Sequence, residues 1–240
     1  SNVTDKNPFR DVRVREAIFR AIDIDAINTS VMRGLARPAA LPVAPTISGF
    51  DPKLDIRPKY DPERSKALLA DAGYPQGFSF GLSVPNDRYM NDEAIGVAIA
   101  GMLAKVGLKV EVLSQGRVRH FADAGNGKMD LCMSGFASAL FKDGQDALAV
   151  CFQTRGETGG TSNFGRYSNP KIDALTQELS KESDETKRDR IMSEAFKILQ
   201  DDWAYIPLHV QPSVWAMRDG VKPLHPADDN PRLAQITVGA

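Results

Sequence analysis

The sequence predicts an α/β lobe, a mixed sheet flanked by helices, and three observations carry that prediction. Segments of helical period alternate with short alternating or apolar segments along most of the chain. The run from Phe78 to Leu113 reads strand, helix, strand, and the crossover rule makes its two strands parallel neighbours. The composition, 42% hydrophobic and 25% charged over 240 residues, supplies apolar mass for one large core or two small ones.

The elements follow in order. A helix is expected from Asp11 to Asn28, with Val14, Ile18, Ala21 and Ile22 on one face and Arg13, Arg15, Arg20 and Asp23 mostly on the other. Gly34 ends that region. A passage rich in proline follows (Pro38, Pro42, Pro45, Pro52, Pro58), ordered but irregular, because each proline lacks an amide donor and biases its predecessor toward extended geometry. Leu41, Val43, Ile47 and Phe50 give this passage side chains that pin it down, which argues against a linker. Asp61-Pro62-Glu63 opens a second helix, with a capping acid and proline in the first turn; Leu68 and Leu69 form its apolar face and Gly73 stops it.

Phe78 to Leu82 alternates as a strand, and Ile95, Ile99, Met102, Leu103 and Val106 mark a helix that Gly107 ends. Leu108 to Leu113 is the next strand, and Met129 to Phe136 a third. Asn169-Pro170 starts a capped helix, and Ser183 caps a longer one through Ile191, Phe196 and Leu199. Strands are also expected at Tyr205 to Val210, Ser213 to Met217 and Leu233 to Val238.

Charge narrows the partners. Lys plus Arg is 30 and Asp plus Glu is 31, for a net charge of −1, so no long-range field attracts nucleic acid or an anionic membrane. Apolar stretches such as Ala98 to Leu103 are too short to span a bilayer. The N-terminus carries no apolar signal segment, which leaves a secreted origin open. Cys132 and Cys151 read as small buried hydrophobes, with a disulfide open to them in an oxidising compartment.

Enzyme signatures are weak. His120, His209 and His225 lie far apart without metal-ligand spacing, and His209 reads as a hydrogen-bonded core residue. Gly125-Asn126-Gly127-Lys128 lacks the Ser or Thr and the glycine placement of a phosphate loop and reads as a turn. There is no GxSxG elbow, and Trp203 and Trp215 read as core or strand anchors. No cofactor is expected.

The order of several short signatures is more specific. Asn7-Pro8-Phe9 precedes Val12-Arg13-Val14-Arg15-Glu16-Ala17, and Ala21-Ile22-Asp23 precedes Val31-Met32-Arg33-Gly34. Tyr60-Asp61-Pro62-Glu63, Ala67-Leu68-Leu69 and Ala72-Gly73-Tyr74-Pro75-Gln76-Gly77-Phe78 follow. Met102-Leu103 with Gly107, Gly135-Phe136, Tyr167-Ser168-Asn169-Pro170 with Asp173-Ala174-Leu175, and Tyr205-Ile206-Pro207-Leu208 complete the series. In this order they resemble the C-terminal half of the family 5 extracellular solute-binding proteins, the dipeptide-, oligopeptide- and nickel-binding group.

The resemblance implies a periplasmic-binding-protein-like (type II) lobe and a two-lobed fold whose N-terminal lobe is missing here. Residues 1–225 would form the C-terminal ligand-binding lobe, and 226–240 would return to the missing lobe. It further implies an extracytoplasmic protein that captures a peptide or other small molecule for ABC permease subunits in the membrane, without catalysis. A non-peptide solute (metal chelate, oligosaccharide or opine-like compound) is the alternative, as is a sensor or interaction module.

Two regions are candidate binding loops. Pro85-Asn86-Asp87-Arg88-Tyr89 follows a strand's C-terminal end, where open α/β sheets bind ligands. Arg88 resembles the position at which dipeptide-binding relatives carry a carboxylate-gripping arginine; pairing with Asp87 or Asp92 in solvent is its other reading. In the second region, Ser134 to Ala139, Phe136 stands where relatives usually place Trp. Ala139 stands where they place an Asp that meets a peptide's ammonium. Ser138 shares this loop, Asp143 or Asp146 would replace the missing acid if the loop folds back, and Asn163 leads a third stretch, to Tyr167, that often faces the cleft in relatives.

Overall fold

Two aspartates divide the first helical pattern. In the computed structural model, which describes residues 7–137, 142–222 and 232–239, the single expected helix is two, α1 (Val12–Arg20) and α2 (Ile24–Ser30). The Asp11 carboxylate accepts from the Arg13 amide and caps α1. Asp23 takes extended dihedrals (φ −81°, ψ 93°) and accepts from the Ala26 amide, and that geometry has no place inside a continuous helix. The face read from the sequence is nevertheless the buried one: Val14, Ile18, Ala21 and Ile22 all lie in the core, with Ala17 buried beside them.

The proline-rich passage is tied down as expected. Its Arg37–Pro38 segment forms a short strand, β1. Leu41 and Val43 are buried, with Ile47 and Phe50 packed beside them. The Asp55 carboxylate accepts from the Ala40 amide at 2.8 Å. Helix α3 (Pro62–Asp71) then starts where Asp61 accepts from the Arg64 amide, with Pro62 in its first turn.

The strand–helix–strand expectation holds. β2 (Ser79–Pro85) and β3 (Lys109–Gln115) run parallel in register from Ser79↔Lys109 to Pro85↔Gln115, joined by α4 (Asp92–Ala104). A close backbone approach seals the bottom of this unit: a Cβ on Gly77 would lie 2.0 Å from the Gly107 carbonyl oxygen. Both positions have positive φ (68° and 91°), so glycine is required twice over. Helix α5 (Arg117–Gly125), not anticipated from the sequence, leads to β4 (Leu131–Cys132). β4 pairs parallel with β2 on the side away from β3, giving the order β3-β2-β4.

The third strand is therefore shorter than Met129 to Phe136, because beyond Met133 the backbone finds side-chain partners instead of a neighbouring strand. The main sheet is wholly parallel. Antiparallel pairing occurs in separate two-stranded ribbons, between β1 and β5 (His209–Val210) and between β6 (Val221–Lys222) and β7 (Thr237–Val238). Of the three late strand expectations only His209–Val210 and Thr237–Val238 form strands, and β6 lies outside all three. Leu233–Gln235 is a 3-10 turn, and Ser213 to Met217 is irregular. Pro207 and Pro212 remove donors that longer strands would need.

The remaining helices build a second core. Gln145–Ala147 (α6) runs into a π turn at Leu148–Phe152, followed by α7 (Pro170–Leu179) and α8 (Glu185–Asp201). Asn169 caps α7 as expected, whereas Asp184, not Ser183, caps α8 by accepting from the Lys187 amide. Phe196, Met192, Leu199 and Leu179 are all 0% exposed at its centre, and each such side chain contributes roughly 1.5–3 kcal/mol. The first core gathers α1 to α4 and the parallel sheet. The two are stitched where the Arg15 guanidinium donates to the Asp202 carbonyl at 2.6 and 2.9 Å and the Phe19 and Trp203 rings meet edge-on at 4.8 Å.

Cys132 and Cys151 are half-buried and unpaired. Burial pushes their thiols up to about 11 and about 12. His209 is half-buried in β5; its Nδ1 finds no hydrogen-bond partner among the described residues, which corrects the expected hydrogen-bonded ring, and burial holds its pKa below the usual value.

Candidate ligand-binding site

The C-terminal ends of β2, β3 and β4 open on one side of the sheet, and the turn from Asn86 to Asn91 lies across them. Several bonds shape this turn. The Asn86 amide donates to the Gln115 carbonyl at 3.1 Å, extending the parallel ladder. Asp87 accepts from the Arg117 amide at 2.6 Å and so occupies the N-terminus of α5. Asn91 takes a left-handed conformation (φ 57°) and donates through Nδ2 to the Val31 carbonyl at 2.9 Å. The Met90 amide donates to Gln211 Oε1 at 3.0 Å.

Asp92 is the centre of the turn. Its carboxylate, 4% exposed, accepts from the amides of Arg88 at 3.2 Å, Tyr89 at 3.0 Å and Glu93 at 3.0 Å. Its burial is tolerated because these donors replace water. Arg88 is thereby aimed outward. Its guanidinium lies 5.1 Å from the centre of the Tyr89 ring and takes no carboxylate partner among the described residues. Both acids named as alternatives for it are engaged elsewhere: Asp87 with Arg117, and Asp92 with the backbone of the turn.

The second loop is held by side chains. The Met133 amide donates to the Ser83 carbonyl at 2.9 Å, the last rung of the ladder. The His120 Nε2 lies 2.9 Å from the Met133 carbonyl, which makes Nε2 the protonated nitrogen. His120 is 0% exposed, and its pKa is held below the usual value by burial, which outweighs the Met133 carbonyl and the more distant Asp92 and Asp123. Two residues further on, the Tyr89 hydroxyl accepts from the Gly135 amide at 2.7 Å and donates to its carbonyl at 3.2 Å. Phe136, next in line, is 40% exposed.

The structure thus brings Asn86, Arg88, Tyr89 and Phe136 to one rim. Ser138 and Ala139 lie outside the described residues. Asp143 and Asn163 are committed elsewhere. Asp143 pairs with Arg188 at 2.7 Å and accepts from the Gln145 amide at 2.8 Å, so its carboxylate serves the second core. Asn163 is 2% exposed; its Nδ2 donates to the carbonyls of Gln153 and Tyr167, and its Oδ1 accepts from the Tyr167 amide, leaving no donor for a ligand. The sequence points to Asp92 only as an ion-pair partner for Arg88 and to His120 only as one of three scattered histidines, not to the structural roles they have. A polar residue at the start of α4 is the available sign for Asp92; His120 offers none, because no clear apolar period marks helix α5.

This rim carries a cation over the Tyr89 ring and, one residue past the Gly135 contact, an exposed phenyl ring at Phe136, groups suited to an anionic moiety and to apolar surface. A cavity of about 180 Å³ lies elsewhere, lined by Phe19, Trp203, Tyr205 and neighbours.

The chain resembles known proteins along most of its length. It is 30% identical over 209 residues to heme-binding protein A of Haemophilus influenzae, covering 85% of this chain and 37% of that protein. It is 30% identical over 220 residues to the glutathione-binding protein of Escherichia coli strain K12, covering 90% of this chain and 42% of that protein. Among solved structures, the oligopeptide-binding protein of Bacillus subtilis in complex with a nonapeptide superposes with a TM-score of 0.83 at 22% identity, over 97% of this chain and 48% of that one. The chain thus spans less than half the length of each of these proteins. The model of bacterial extracellular solute-binding proteins, family 5 Middle, matches residues 1–158, and with the parallel sheet and the loops at its C-terminal rim this places the chain in family 5 of the bacterial extracellular solute-binding proteins.

Proposed function

We propose that the chain supplies the C-terminal lobe of a solute receptor that works outside the cytoplasm and passes its ligand to an ABC permease. In this reading residues 1–225 form the ligand-binding lobe, and residues 226–240 return to an N-terminal lobe. The solute is held between the lobes, which close by a hinge, and nothing is turned over. The observation that carries the reading is Arg88: an outward guanidinium without a carboxylate partner among the described residues, held by a preformed turn at the C-terminal rim of a parallel sheet. Asn86 and Phe136 line the same rim. The ligand then offers a carboxylate or comparable anion to Arg88 and an apolar or planar group to Phe136.

Peptides satisfy this description, and so does glutathione, the solute named for one relative. One observation favours a second reading, a solute without a free ammonium group. Ala139 has no charge to offer an ammonium, and of the two acids that would replace it Asp143 is paired with Arg188, while Asp146 lies in the first turn of α6 beside Asp143. A metal chelate or an opine-like compound fits that case.

Calorimetry with a dipeptide, glutathione and hemin distinguishes these ligands. The two-lobed protein is expected to bind one of them with micromolar or tighter affinity, and Arg88→Ala to weaken binding roughly a hundredfold, the scale of a lost charge-assisted pair. This 240-residue chain alone is expected to bind at least a hundredfold more weakly. Equal affinity in the isolated chain defeats the two-lobe reading, and an unaffected Arg88→Ala variant defeats the assignment of the site.

A further inference from the structure

Arg88 and Phe136 belong to different loops, and one side chain joins those loops. The Tyr89 hydroxyl makes both of its hydrogen bonds to a single residue, accepting from the Gly135 amide at 2.7 Å and donating to the Gly135 carbonyl at 3.2 Å, across 46 residues of sequence. The ring also carries the Arg88 guanidinium at 5.1 Å from its centre. Its position is fixed from below, because Asp92 accepts from the Tyr89 amide at 3.0 Å. Gly135 is the complement of this arrangement. A Cβ there would stand 2.7 Å from the Tyr89 ring, so only glycine lets the ring lie against that backbone. Tyr89 therefore touches the cation of the first loop with its ring and fixes the backbone next to Phe136 with its hydroxyl.

We propose that Tyr89 is a positioning residue that fixes the distance between Arg88 and Phe136 and so sets which solutes reach both. The proposal rests on the reading of those two residues as ligand-facing. Loops of this kind are ordinarily free to drift apart, since the strand ladder on this side ends at Met133. The Tyr89 latch replaces the missing rungs with side-chain bonds. Uncoupled, each loop would still present its group, but not at a fixed separation, and binding would lose the advantage of a preformed site.

Amide exchange measured by NMR on the 240-residue chain tests the latch directly, and titration with reduced glutathione tests its consequence. In Tyr89→Phe the Gly135 amide is expected to exchange roughly tenfold faster, the scale of one net hydrogen bond, while amides of Leu82 and Ile99 keep their rates. In the unsubstituted chain Phe136→Ala is expected to weaken glutathione binding several-fold, whereas in Tyr89→Phe the same truncation should change the Kd little, because Arg88 and Phe136 no longer act at a fixed separation. Gly135→Ala, which leaves the hydroxyl in place but displaces the ring, should likewise remove the effect of Phe136→Ala.

Unchanged Gly135 exchange in Tyr89→Phe overturns the latch. Faster exchange with Phe136→Ala costing as much affinity in Tyr89→Phe as in the unsubstituted chain overturns the positioning role. If Arg88→Ala leaves the glutathione titration unaltered, the ligand-site reading fails and takes the positioning role with it. The exchange rates keep that failure separate from failure of the latch.

Discussion

At Asp92 a single buried carboxylate satisfies three amides and so decides the path of a whole turn. Replacing it with alanine leaves those donors without partners, and Asp92→Ala is expected to destabilise the lobe by about 2 kcal/mol in urea unfolding. Asp92→Asn keeps an acceptor oxygen and should cost less. His120 adds a pH dependence whose sign follows from its burial. Its pKa in the folded chain lies below the usual 6.5, so below that pH the unfolded chain binds more protons than the folded one. Its contribution is therefore present above pH 6.5 and lost as pH falls toward the folded value. His120→Gln should flatten the decline in stability measured by urea unfolding between pH 7.5 and pH 5. Neither residue stood out in the sequence, because burial and hydrogen-bond geometry, not residue type or spacing, gave them their roles. Arg88 did stand out, since a motif at a strand's end points there before any contact is known.

Helix boundaries record a contest between neighbouring polar residues for the first free amides. Asn169 and Asp61 were legible because proline follows each and leaves little choice of cap. Ser183 and Asp184 stand side by side, and the sequence cannot rank them; the Asp184 carboxylate takes the Lys187 amide at 2.9 Å. Accordingly, Asp184→Ala is expected to cost about 1 kcal/mol and Ser183→Ala close to nothing, by thermal or urea unfolding of the two variants. The break at Asp23 was hidden for a related reason. The apolar period runs unbroken through Ala21 and Ile22, which are both buried, so periodicity saw one helix where a cap makes two. The strand read from Met129 is longer in sequence than in structure because its apolar residues are real but its hydrogen bonds go to Tyr89 and His120. Alternation predicts which face is buried; it says nothing about whether a neighbour strand exists.

At the scale of the molecule, two cores share one chain and are tied by contacts between α1 and the end of α8. Such ties predict a common unfolding transition. Leu103→Ala in the first core and Phe196→Ala in the second, both at 0% exposure, should each cost roughly 3–5 kcal/mol. Fluorescence and circular dichroism should report the same midpoint in each variant, lowered as one. Two separate transitions would show that the cores fold independently. The α/β class and the parallel crossover were legible because they rest on long periodic segments. The split into two cores was not, since composition allowed either count and only the packing of α7 and α8 against the proline-rich passage decides it.

The two cysteines carry a practical consequence. With their thiols pushed up to about 11 and about 12, both remain protonated at neutral pH and should react slowly with maleimides, which are attacked by the thiolate. A cysteine introduced at exposed Val118, on the helix beside the rim, would then be the fast-reacting site for a fluorophore. The lobe is thus ready for conversion into an optical reporter of solute capture without first removing its native sulfur.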